Sequence, residues 1–187
     1  GAGSPTLIDL PARASATPQL LLLGGSKQGN VYLLDRARMP GDLRRRQPCG
    51  QPPASDRSLL APEAQPQFGT RGPLNVFGPF SDRFGMGDLA KSRSTAAYFR
   101  EARGRHFAFV TGSQKAAADS AVSVAPGLAR LEIVTAERQP AHLRLDATQR
   151  EVVFQNPGSP VVSSRGGGDA IVWVLDANRP RSAPLYG

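Results

Sequence analysis

Residues 19–36 read QLLLLGGSKQGNVYLLDR, two short apolar runs separated by a turn rich in Gly and Asn. Leu20 to Leu23 and Val31 to Leu34 each have the length of a strand, and Gly29 and Asn30 tolerate the positive φ that tight turns require. The pattern predicts a β-hairpin. Neither run alternates cleanly between apolar and polar residues. Both faces are therefore expected to be covered, as in a sheet packed between two others. With 20 glycines and 17 prolines in the chain, long helices are disfavoured and an all-β fold is expected.

At 187 residues the chain is one domain's worth, long enough for a substantial core. No run approaches the ~18 consecutive apolar residues of a membrane-spanning helix. The chain starts at Gly1 with no charged segment leading into an apolar one. It reads as a piece of a longer protein, with any signal peptide removed or upstream. Formal charge is +8, and Lys27, Lys91 and Lys115 are the lysines among 23 basic residues. The arginines are scattered, and their single run, Arg44-Arg45-Arg46, has no interleaved aromatics. Weak, salt-labile attraction to polyanions is expected, and no specific nucleic-acid partner. Cys49, in Pro48-Cys49-Gly50, is the single cysteine. It excludes an intrachain disulfide and a cysteine zinc site, and reads as a free loop thiol that could pair elsewhere in a longer chain.

In chain order, SPTLIDL (4–10) predicts a brief strand, followed by the 19–35 hairpin. From 36 to about 92, eight prolines punctuate a Gly- and Arg-rich stretch that still carries Leu59, Leu60, Phe68, Leu74, Val76, Phe77, Phe80 and Phe84. This is read as an ordered insertion laid across the sheets, with a short helical turn near 86–91. STAAYFRE (94–101) and HFAFVTGS (106–113) form a second hairpin about Ala102-Arg103-Gly104. Strands are then expected in LARLEIVTA (128–136), AHLRLDA (141–147), EVVFQN (151–156), SPVVSS (159–164) and DAIVWVLDA (169–177), the last two joined by Gly166-Gly167-Gly168. Alternation in LARLEIV marks a half-exposed strand.

The segments resemble one another. Val31-Tyr32-Leu33-Leu34-Asp35 matches Val172-Trp173-Val174-Leu175-Asp176 in residue type, and Leu143-Arg144-Leu145-Asp146 is a weaker third. Ser4-Pro5-Thr6-Leu7, Ser94-Thr95-Ala96-Ala97 and Ser159-Pro160-Val161-Val162 are also alike. A repeated antiparallel unit of this kind is the blade of a β-propeller, whose faces are covered by its neighbours. A β-sandwich or meander with similar hairpins is the alternative.

On these residues, GGSKQGNVYLLDR and DAIVWVLDANR above all, the chain resembles the PQQ-binding-like β-propeller repeat proteins, a quinoprotein-type group of uncharacterised bacterial proteins. The likeness runs over about 1–36 and 94–187. It implies a partial β-propeller of about three antiparallel blades, an arc rather than a ring, with 36–92 as a long Pro/Gly-rich insertion. It also implies export to the periplasm or the extracellular space, with the remaining blades of the same chain as partners. The family's tryptophan docking between blades is missing: Asp35 runs into Arg36-Ala37-Arg38, and Trp173, the single Trp, lies within a strand.

Quinoprotein dehydrogenases hold PQQ with an adjacent cysteine pair and a calcium ion on Asp and Asn oxygens. Neither pattern occurs here, so no cofactor, no metal and no catalytic residue is expected on this stretch. A PQQ-dependent oxidoreductase with its active site elsewhere in the chain is the rival reading. His106 and His142 are expected as strand-end or surface residues. Asp35, Asp146 and Asp176 are expected to cap turns. Lys27, Gln28, Arg93 and Lys115 fall in or beside turns, where propellers bind, and are the candidate contacts for an unknown small molecule or protein. The function expected is a non-catalytic binding or scaffolding module. Its end blades would present unpartnered apolar faces at Leu20–Leu23 or Ile171–Val174, which favour association.

Overall fold

The computed structural model describes residues 3–23, 31–38, 75–77, 94–112, 127–149, 151–152, 154, 156–177 and 183–187. Among them there is no α-helix, and the strands form three antiparallel sheets. Sheet I comprises β1 (Thr6–Asp9), β2 (Gln19–Leu23), β3 (Val31–Asp35) and β4 (Asn75–Phe77). Sheet II comprises β5 (Ala97–Arg100), β6 (His106–Thr111), β7 (Leu128–Ala136) and β8 (Gln139–Gln149). Sheet III comprises β9 (Val161–Arg165), β10 (Gly168–Leu175) and the short β11 (Leu185–Tyr186). In each sheet the strands lie in chain order, so every sheet is a simple meander.

The anticipated hairpin forms, with Leu21 opposite Leu34 and Leu22 opposite Leu33. Its burial is one-sided, contrary to the expectation of two equally covered faces. Ile8, Leu20, Leu22, Val31 and Leu33 are sealed, whereas Leu21, Leu23, Tyr32 and Leu34 on the other face are half-buried. An all-leucine run hides the alternation because residue type is the same on both sides; only the presence of one neighbouring sheet distinguishes them. That neighbour is sheet II. Ala108, Val110, Ala129, Leu131, Ile133, Ala141 and Leu143 join the sheet I residues in one continuous core. In β7 the buried residues are Ala129, Leu131 and Ile133, with Arg130 exposed and Glu132 half-buried, as the alternation in LARLEIV predicts.

Two turns follow from glycine. Arg165 pairs with Gly168 across Gly166 (φ 59°) and Gly167 (φ 81°), both left-handed, as a two-residue hairpin loop with the native strand twist requires. Gly104 (φ 90°) similarly closes the Glu101–Arg105 turn, where the Glu101 amide donates to the Arg105 carbonyl at 2.9 Å.

Two expectations change and a third is not tested. Asn75–Phe77 is not merely part of an insertion: it pairs with β3 and completes sheet I. The short helical turn near 86–91 lies outside the described residues. Residues 151–156 do not form a strand where described; Phe154 is instead buried, edge-on to Tyr186 at 5.3 Å between ring centroids. Gly127 makes room for that ring, since a Cβ there would lie 2.7 Å from Phe154 Cδ2.

The sheets are joined by polar contacts as well as by the core. The Ser4 amide donates to Thr95 Oγ1 at 2.9 Å, and the Thr95 amide donates to Ser159 Oγ at 2.9 Å. Ser4, Thr95 and Ser159 each stand two residues before the first strand of their sheet. The sequence match had aligned Ser94 with Ser4 and Ser159. The structural register is one residue later in the middle unit. The Leu-Asp endings are also not equivalent: Asp35 closes the third strand of sheet I, Asp146 lies in the fourth of sheet II, and Asp176 follows the second of sheet III. The structural repeat lies where the chain enters each sheet.

Candidate functional site

Of the side chains proposed from sequence to contact a ligand, Lys27, Gln28, Arg93 and Lys115 all lie outside the described residues. The described residues point elsewhere, to a cleft of about 490 Å³ between sheets II and III. Its position follows from the register. In β6, Ala108 and Val110 face sheet I, so Phe107 and Phe109 face the other way, with Phe99 opposite Phe107 on β5. Across the cleft, β10 contributes Gly168, Asp169, Ala170 and Val172. A backbone bond from the Ala102 amide to the Gly167 carbonyl, 3.0 Å, ties the two hairpin turns together beside it. Gly167 has no room for a side chain without crowding, because a Cβ would sit 3.1 Å from the Ala102 nitrogen.

Above this aromatic floor stand Arg103, Arg105 and Arg130 with Glu101. The Arg105 and Arg130 guanidinium carbons lie 5.0 and 5.3 Å from the Phe107 ring centroid, within cation–π range. Arg105 grips Glu101 with two bonds, Nε to Oε2 at 2.8 Å and Nη2 to Oε1 at 3.1 Å. Arg130 pairs with Asp146, and Arg144 with Glu132. The hydrogen bond from Arg105, aided by the charges of Arg105, Arg103 and Arg130, holds the Glu101 carboxyl below its usual value against a smaller desolvation effect. The same bond raises Arg105. Arg103 has no ion-pair partner within reach among the described residues, and it stands exposed in the β5–β6 turn.

The remaining polar groups of interest are structural. His106 opens β6, a strand end as expected, but is buried, at 3% exposure, rather than at the surface. Its Nδ1 lies 2.7 Å from the Tyr98 hydroxyl, and the two rings stack at 13°. Burial, then the charge of Arg100, pushes His106 down; burial raises Tyr98. The contact is a single hydrogen bond whose donor is set by the histidine tautomer. His142 is also pushed down, by burial first and Arg144 second. Among the described residues no group of three His, Cys, Asp or Glu could hold a metal ion. Asp35 caps a turn as expected, its Oδ1 accepting from the Ala37 amide at 3.0 Å. Asp176 likewise accepts from the Asn156 amide at 2.9 Å, but from a fully buried position. Asp146 is not a cap but the partner of Arg130.

Sequence reasoning had no access to the cleft, because its lining comes from the β5–β6 and β9–β10 hairpins and from Arg130 on β7, far apart in the chain, and depends on which face of β6 meets which sheet. The one legible signal was Phe99, Phe107 and Phe109 with arginines in between, on the two strands of one hairpin. No family model, no curated protein and no solved structure matches the chain. Among the described residues no helix is long and apolar enough to cross a membrane.

Proposed function

We propose that the chain is a section of a β-propeller built from PQQ-like repeats, and that it is a non-catalytic binding module whose ligand enters the cleft between sheets II and III. The propeller part is supported by three successive meanders that share one contact, the amide-to-hydroxyl link through Ser4, Thr95 and Ser159. The binding part rests on one observation: a cleft of about 490 Å³ with a phenylalanine floor and Arg103 at its mouth. That volume falls in the usual range for small-molecule sites. Arg105 and Arg130 already hold carboxylates, so their charge is spoken for. Arg103 presents a guanidinium fork suited to a carboxylate. The ligand is an anion with an apolar body: the body lies on the floor and the carboxylate meets Arg103. Glu101, held ionised by Arg105, is in the wrong state for a general acid. The module works outside the cytoplasm, as the likeness of its repeats suggests.

Titration with 4-phenylbutyrate, followed by amide NMR, tests this. Saturable shifts centred on Arg103, Gly167 and Gly168, weakened severalfold by Arg103→Ala, are expected. Shifts scattered over the surface, or unaffected by Arg103→Ala, would remove the cleft as the site.

A further inference from the structure

Strand β10 is irregular where it borders the cleft. Gly168 pairs with Arg165 and Ile171 with Ser163, so β10 carries one residue more than β9 across that step, a β-bulge. In an unbroken strand Gly168, Ala170 and Val172 would share the cleft face, and Asp169 would go with Ile171 to the other. Ile171 stays outside the cleft, yet Asp169 lines it together with the other three. The bulge holds Asp169 at φ 47°, the one left-handed backbone among the described non-glycine residues. Asp tolerates that region better than most side chains, but glycine adopts it without steric cost, and three glycines stand directly before it. The chain thus keeps a carboxylate where a fourth glycine would relax the backbone. Bulges and strained positions of this kind re-aim side chains at ligand sites.

The charges around the cleft do not all cancel. Arg105 is held by Glu101 and Arg130 by Asp146. Of the charged side chains that line the cleft, Arg103 and Asp169 are left over. Both are exposed, and among the described residues neither has an ion-pair partner. The turns that carry them are tied by the bond from the Ala102 amide to the Gly167 carbonyl. One guanidinium and one carboxylate therefore stand unpaired across a cleft floored by phenylalanine. A ligand with a carboxylate alone answers Arg103 and brings a second negative charge towards Asp169. A ligand that also carries an ammonium answers both.

We infer that the cleft takes an amino acid with an aromatic side chain, its carboxylate on Arg103, its ammonium on Asp169 and its ring on the floor of Phe99, Phe107 and Phe109. This rests on the reading of the cleft as a binding site given above. It adds Asp169 as the residue that selects a zwitterion over a simple carboxylate, and it gives the bulge in β10 a purpose: without it the Asp169 side chain would leave the cleft.

Calorimetric titration of the 187-residue chain with 4-phenylbutyrate and with 2-amino-4-phenylbutyrate, which differ only by the ammonium, is the test. The amino compound should bind about fivefold tighter, the scale of one exposed ion pair. Asp169→Asn, which keeps the shape and suits the left-handed backbone, should bring that ratio to about one and leave 4-phenylbutyrate bound no more weakly. Arg103→Ala should weaken both compounds severalfold. Asp169→Gly should lose the preference as well, while melting at the same temperature or higher, since glycine relieves the backbone. Equal binding of the two compounds, or a preference that survives Asp169→Asn, overturns the inference; binding of 4-phenylbutyrate that still depends on Arg103 then leaves the cleft reading standing. A lower melt in both Asp169 variants assigns the carboxylate to the hairpin itself and overturns the inference too. Binding of neither compound, or binding indifferent to Arg103→Ala, removes the inference and the cleft reading together.

Discussion

The two junctions between sheets are built from the same strand pattern and differ in almost everything else. Sheets I and II meet mainly through aliphatic side chains, from Ile8, Leu20 and Leu33 on one side to Leu131 and Ile133 on the other. Hydroxyl contacts seal the edge of that junction: Ser15 Oγ donates to the Gln139 carbonyl at 2.8 Å, and Thr17 Oγ1 accepts from the Ala141 amide at 2.9 Å. Sheets II and III meet around phenylalanines, charged networks and a cleft. Branched aliphatic residues interdigitate and exclude water. Arg105 and Arg130, stacked over Phe107, line open space there. The first junction is sealed, and the second keeps open space.

The largest effect should come from breaking the first junction. Leu131→Ala removes a fully buried side chain from its centre, and a loss of about 3 kcal/mol is expected in urea unfolding. Val172→Ala, beside the cleft, should cost less than about 1 kcal/mol because the site is already open. Equal losses at the two positions would mean that the junctions are packed alike.

Next is Asp176, which is 1% exposed and accepts from the Asn156 amide. Asp176→Ala leaves that amide without its acceptor and should cost about 2 kcal/mol. A change below about 0.5 kcal/mol would show that water substitutes for the carboxylate.

Gly127→Ala tests the Phe154 pocket at the start of β7. The added methyl would fall 2.7 Å from both the ring and the Val152 carbonyl, and a loss of about 1–2 kcal/mol is expected from overpacking. If Phe154→Leu in the same background recovers most of that loss, the ring is the obstacle; no recovery points to the carbonyl.

The smallest effect is on pH dependence. His106 and His142 are both held below the usual value near 6.5, chiefly by burial. The unfolded chain then binds more protons than the folded one below about pH 6.5, so stability is complete above that value and falls as pH drops through the folded values. His106→Gln should flatten the dependence below about pH 6.5, read as melting temperature against pH. An unchanged slope would assign it to His142 alone.

Strand positions were largely legible. β1, β2, β3, β6, β7 and β10 lie where apolar runs and turn residues put them, because β propensity and glycine turns act over a few residues. Leu131 and Ile133 were identifiable as buried from alternation alone. The leucines of β2 were not sorted into faces, since a uniform run carries no period. The 151–156 run, rich in strand formers, was misread: Phe154 spends its hydrophobicity on Tyr186 and the Gly127 niche rather than on pairing. The candidate site was not legible beyond its phenylalanines and the arginines between them, for its residues are brought together by the packing of sheet III on sheet II.

The sequence by itself determined that this chain is all-β, that its hairpins turn at glycines such as Gly166 and Gly167, and that three similar units begin near Ser4, Ser94 and Ser159. Those are local matters of φ, side-chain period and chain reversal. Tertiary structure alone decided that the repeat registers on Ser4, Thr95 and Ser159, that Asn75–Phe77 belongs to sheet I, and that Phe107 faces an arginine-lined cleft while its neighbour Ala108 faces the core. A strand offers two faces of opposite parity, and only the arrival of a second sheet determines which of them becomes interior.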